Sequence, residues 1–196
     1  MDIEECRKRL KELEIAREEL LKLLRDMRIH STKAVALIHA GEIEEAEKYL
    51  NNALKVLEEI REFREFPEIY HTLTHDAMQE LVEAFAFHRA VRGEFSFSIN
   101  LEVEPSAFIT GLADLVGELR RYALSKLVKG RFEDAERLMK LMEDIYNELI
   151  SFTSFPDKLL PGLRRKLDIA RSGIERTKSD YIAARVARLN ESLGGD

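Results

Sequence analysis

The chain has 196 residues, enough to bury a real core and about the length of one domain. Its 31 Lys+Arg against 37 Asp+Glu leave a formal charge of -6, which argues against a surface that is basic throughout but not against one basic face for nucleic acid. A lone cysteine excludes an intrachain disulfide, no apolar run is long enough to span a bilayer, and the acidic N-terminus lacks a signal-peptide layout, so a cytoplasmic protein with no membrane partner is expected.

Only 4 Pro and 9 Gly interrupt a chain that is 35% charged and rich in Leu, Ala, Glu, Lys and Arg, a composition for long helices. The predicted fold is all-α, a single-domain bundle of about six to seven helices over residues 1–196. Ile3, Leu10, Leu13, Leu20, Leu24, Met27, Val35 and Ile38 recur near a helical period and predict one long helix from Asp2 to about Ala40, with a defect near Ile29. Gly41 ends it, and a second helix is predicted from Glu42 to about Phe66. Pro67 suits the first position of a third helix that runs to Arg92 and stops at Gly93. Phe95 to Val103 alternates like a strand but has no partner strand, so it is expected as an extended loop packing its apolar side chains on the bundle. Pro105 opens a fourth helix to about Lys129, a fifth follows Gly130 from Arg131 to about Phe152, and a last long helix is predicted from Leu163 to about Leu193.

An internal echo, Gly41-Glu42-Ile43-Glu44-Glu45-Ala46 against Gly130-Arg131-Phe132-Glu133-Asp134-Ala135, looks like the helix start of a tetratricopeptide repeat. The separation of the copies does not fit a 34-residue period, about the length that such repeats require, and the repeat's marker residues are missing. Two helix starts after a glycine turn explain the echo better.

Two acidic motifs carry the chemistry. Glu80 and Glu83 stand at i,i+3 in Gln79-Glu80-Leu81-Val82-Glu83-Ala84, and Asp114 and Glu118 at i,i+4 in Gly111-Leu112-Ala113-Asp114-Leu115-Val116-Gly117-Glu118-Leu119. Each spacing puts two carboxylates on one helical face beside apolar residues, where they repel and desolvate one another unless a cation sits among them. Gly111 and Gly117 are expected to let the fourth helix approach a neighbour closely, at a cost in helix propensity. Periodicity alone leaves two readings open: a metal-binding set of four carboxylates, or charges that solvate an exposed face.

The motifs resemble those of the translin family, and within it the branch of translin-associated factor X, Trax. The likeness rests on Gln79, Glu80, Val82, Glu83, Ala84 and Phe87, and on Gly111, Ala113, Asp114, Leu115, Gly117, Glu118, Leu119 and Arg121, with weaker support from Lys22, Leu23, Arg25, Asp26, Ser31, Lys33, Leu37 and His39. The resemblance implies a translin-like helical fold and a metal-dependent endoribonuclease whose acidic residues are Glu80, Glu83, Asp114 and Glu118. It implies RNA, single-stranded or duplex, as partner, and a homo-oligomer, the family's hollow octamer being the expected form. The chain is shorter than the eukaryotic enzyme and lacks its basic N-terminal extension, which points to a self-assembling prokaryotic type.

An all-carboxylate set selects a hard cation, Mg²⁺ or Mn²⁺, over Zn²⁺. Such an ion would activate water and offset charge on the scissile phosphate, with Glu80 the first choice of base. Candidate RNA-binding cations are Arg28, His30 and Lys33 on the first helix and Arg121 and Lys126 on the fourth; an ion pair with Glu118 is the bland alternative for Arg121. Arg164, Arg165 and Lys166 are expected as surface decoration, and His71, His75 and His88 as structural residues. The rival enzyme is an all-α Mg-dependent NTP pyrophosphatase, whose second acidic pair is usually spaced i,i+3 rather than i,i+4. The rival without catalysis is a translin-like RNA-binding shell whose acids merely pair with basic neighbours.

Overall fold

The computed structural model describes residues 2–193, and the side chains of residues 2–190. Its described residues form six α-helices and no strand: α1 (Ile3–Ala40), α2 (Ile43–Glu59), α3 (Pro67–Arg92), α4 (Pro105–Val128), α5 (Phe132–Leu149) and α6 (Leu163–Leu193). The all-α prediction holds. Short 3₁₀ turns, Ile60–Glu65 and Ile150–Ser154, finish what were expected as the last turns of α2 and α5.

Local chemistry sets the ends. Asp2 caps α1 by accepting from the backbone N–H groups of Glu4 and Glu5 at 2.8 and 2.9 Å, while Glu5 accepts from Asp2 N–H at 3.0 Å, a reciprocal capping box. The expected defect near Ile29 is absent, and α1 runs unbroken for 38 residues. Its buried stripe continues through Ser31 and Ala34, small residues that carry the helical period where large apolar ones are missing. The internal echo is one device used twice: Gly41 and Gly130 adopt left-handed φ values of 88° and 69°, and the helix after each buries Ala46 or Ala135 completely.

Two compact units divide the chain, residues 1–111 and 112–196, with the boundary inside α4. In the first, Leu20, Leu24 and Met27 of α1 meet Ala53, Val56 and Leu57 of α2, Tyr70, Ala77, Met78 and Leu81 of α3, and Ala107 from the first turn of α4. Leu20, Met27, Ile60, Met78 and Leu81 are fully buried, and each such side chain contributes roughly 1.5–3 kcal/mol. The Phe95–Val103 stretch is an extended loop, as predicted, but only part of it packs inward. Val103 rests on the core, Glu102 pairs with Arg61 and Arg64, and Phe97 stays exposed with its ring against Phe95.

Gly111 packs tightly against α3. A β-carbon at Gly111 would lie 2.7 Å from the Gln79 carbonyl oxygen and 2.8 Å from Val82 Cβ, whereas one at Gly117 would meet nothing within 4 Å among the described residues. Close approach therefore explains the first glycine and corrects the expectation for the second. In the second unit α5 packs on α6. Leu127, Phe132 and Ala135 form a cluster with Leu124, Tyr181 and Ala184, and the Arg185 and Arg188 guanidinium groups lie 5.6 and 5.1 Å from the Phe132 ring centre.

Candidate functional site

Glu80 and Glu83 lie one turn apart on α3 in the first unit, both partly buried. Glu80 accepts from Arg28 of α1, with Nε at 2.9 Å and Nη2 at 2.8 Å from the same Oε1. That hydrogen bond, then the charge of Glu80, raises the Arg28 pKa above its ordinary value. A residue expected to bind RNA is thus bonded to one expected to bind metal.

Asp114 and Glu118 lie one turn apart on α4 in the second unit, with side chains 26% and 24% exposed. Lys166, near the start of α6, donates to both carboxylate oxygens of Asp114, at 2.7 Å to Oδ1 and 2.6 Å to Oδ2. Its side chain is only 21% exposed. Lys166 is therefore no surface decoration, in contrast to Arg165, which is exposed, and Arg164, which is exposed while donating to the Thr153 carbonyl. The pair is invisible in the sequence because its partners stand 52 residues apart. Beside it opens a cavity of about 350 Å³, lined in part by Gly117, Arg120 and Arg176.

The remaining cation candidates are placed separately. His30 is partly buried with its ring centre 5.8 Å from that of Tyr49, and Lys33 is exposed on α1. Arg121 is 68% exposed and reaches Glu118 only at 4.0 Å, a loose contact. Lys126 donates to the Tyr122 hydroxyl at 3.0 Å and lies 4.2 Å from its ring centre. Among the histidines, His71 faces Glu104 at 3.2 Å, His75 faces Asp76 at 3.1 Å, and His88 is buried, which pushes its pKa down.

Each pair offers only carboxylate oxygens, donors of the kind that suit a hard cation. Among the described residues, no three His, Cys, Asp or Glu side chains gather into a metal-holding group.

Comparison with known proteins places the chain in a family. An uncharacterised protein of Methanocaldococcus jannaschii, MJ0175, is 31% identical over 169 residues, covering 85% of this chain and 75% of that protein. AfC3PO, solved in complex with duplex RNA, is similar at 66% identity and a TM-score of 0.95 over 97% of this chain and 100% of its own. Apo-NeC3PO shares the fold at 22% identity and a TM-score of 0.81, over 93% of this chain and 97% of its own. Residues 3–179 match the Translin family, and the chain belongs to it.

Proposed function

We propose that this protein is a metal-dependent endoribonuclease that binds RNA and hydrolyses its phosphodiester bonds with Glu80, Glu83, Asp114 and Glu118 around Mg²⁺ or Mn²⁺. Support for RNA as partner comes from family membership and from the duplex RNA held by AfC3PO, which is 66% identical to this chain. The observation that carries the catalytic reading is the state of Asp114, a carboxylate three-quarters buried on α4 with a cationic group against both of its oxygens. Burial on that scale is costly for a carboxylate unless a cation stays beside it.

A divalent cation bound by these carboxylates would lower the pKa of a water molecule and offset charge on the scissile phosphate. Glu80 is the residue we assign to take the proton from the attacking water. Arg28, through its hydrogen bond to Glu80, fixes the direction of that carboxylate. Arg28, His30, Lys33, Arg121 and Lys126 are assigned to phosphate contacts, which hold RNA without reading its sequence. Assembly as a homo-oligomer, with the octamer as the expected form, belongs to the same proposal.

One observation favours a second reading, an RNA-binding shell without catalysis: Glu80 already pairs with Arg28. Labelled single-stranded and duplex RNA, incubated with Mg²⁺ or Mn²⁺ with and without chelator, separates the two. Cleavage by wild type that chelator stops, lost in Asp114→Asn while RNA binding persists, is the expected result. Binding without cleavage under every metal condition overturns the nuclease in favour of the shell.

A further inference from the structure

We infer that Lys166 is a built-in competitor for the metal: its ammonium occupies the cation position at Asp114 and must leave before a divalent ion can take that carboxylate. The inference rests on the metal site proposed above. Lys166 Nζ stands 2.7 and 2.6 Å from the two oxygens of Asp114, on the side of the carboxylate from which a chelating cation would approach. Two cations do not share that position, since each would lie within contact distance of the other.

The surroundings give the lysine somewhere to go. Its four-carbon stem is flexible and its ammonium prefers hydration, and the cavity of about 350 Å³ that Asp114 and Lys166 both line holds room for the displaced group and its water. An arginine in its place would be harder to dislodge, because a planar fork binds a carboxylate through two parallel bonds. Lys166 thus keeps a partly buried carboxylate paired when no metal is bound, and sets the metal concentration at which the site fills.

The test titrates Mn²⁺ into wild type, Lys166→Met and Arg171→Gln, reading free Mn²⁺ by electron paramagnetic resonance. Arg171→Gln removes the same charge from the same helix at a residue that pairs with Asp168 instead. Lys166→Met is expected to bind Mn²⁺ about fivefold more tightly than wild type, and Arg171→Gln to match wild type. In wild type itself, amine acetylation read by mass spectrometry should label Lys166 faster when Mn²⁺ is present, with the other lysines unchanged. Equal Mn²⁺ affinity in wild type and Lys166→Met, or weaker binding by a folded Lys166→Met, overturns the competition while leaving the metal site in place. Unchanged labelling of Lys166 in Mn²⁺-saturated wild type does the same, and decides the matter if Lys166→Met fails to fold. Absence of saturable Mn²⁺ binding in every protein overturns the metal site together with the inference.

Discussion

Gly111 comes so close to α3 that a β-carbon on it would sit 2.7 Å from the backbone oxygen of Gln79. A carbonyl oxygen at that distance cannot step aside as the end of a flexible side chain would, and Val82 Cβ crowds the same point at 2.8 Å. The contact fixes the first turns of α4 beside the helix that carries Glu80 and Glu83. Gly117, two turns on, has open space among the described residues where its side chain would be.

The two glycines should therefore respond oppositely to alanine. Gly111→Ala gains helix propensity of about 1 kcal/mol but forces backbones apart, at a cost of about 1–3 kcal/mol beyond that gain. Its melting temperature should fall by several degrees, since about 2–4 °C accompanies each kcal/mol in a chain of this size. Gly117→Ala should gain about 0.5–1 kcal/mol. Thermal melts of both variants decide it, and a Gly111→Ala protein as stable as wild type would remove close approach as the reason for that glycine.

Helix ends were legible because they are local. Gly41, Pro67, Gly93, Pro105 and Gly130 each act on the few residues beside them, and each marks an end or start in the structure. The defect predicted near Ile29 is absent because the small residues Ser31 and Ala34 complete the buried stripe where large apolar ones are missing. The acidic motifs were legible as pairs, one turn apart, because helix geometry sets that spacing. Their countercharges were not, since Arg28 and Lys166 each stand 52 residues from the acid they hold, a separation set by tertiary packing alone.

His88 makes the stability of the first unit depend on pH. Burial lowers its pKa most, the charge of Arg92 lowers it further, and Glu47, Glu94 and a hydrogen bond with the Ile43 backbone oppose the shift. A folded-state pKa below the unfolded value means that the unfolded chain takes up a proton first as pH falls. The contribution is complete above the unfolded value of about 6.5 and is lost as pH drops below it. Urea unfolding between about pH 7.5 and 5.5 should show His88→Gln with a shallower loss of stability than wild type. Parallel pH slopes in the two proteins would show that His88 does not contribute.

RNA binding through exposed cations should weaken steeply with salt, because each neutralised phosphate releases counterions. Lys33 is the cleanest probe, being exposed on α1 and well removed in sequence from both acidic motifs. Lys33→Ala should weaken binding to every RNA sequence alike and reduce the slope of log affinity against log salt by about one. An unchanged slope would take Lys33 out of the interface.

The identity of the nucleophile decides what the cut ends carry. With water attacking phosphorus and Glu80 accepting its proton, the 3′ oxygen of the upstream ribose leaves, and the fragments carry a 5′-phosphate and a 3′-hydroxyl. The 2′-hydroxyl next to the scissile bond takes no part in that step. An RNA with a single 2′-deoxy residue there should be cut within about tenfold of the unmodified rate, a loss of no more than about 1.4 kcal/mol of contact energy. Mass spectrometry of the fragments reads both points at once. A 2′,3′-cyclic phosphate product, together with complete resistance of the 2′-deoxy substrate, would assign the attack to the ribose and leave Glu80 without the water it is proposed to deprotonate.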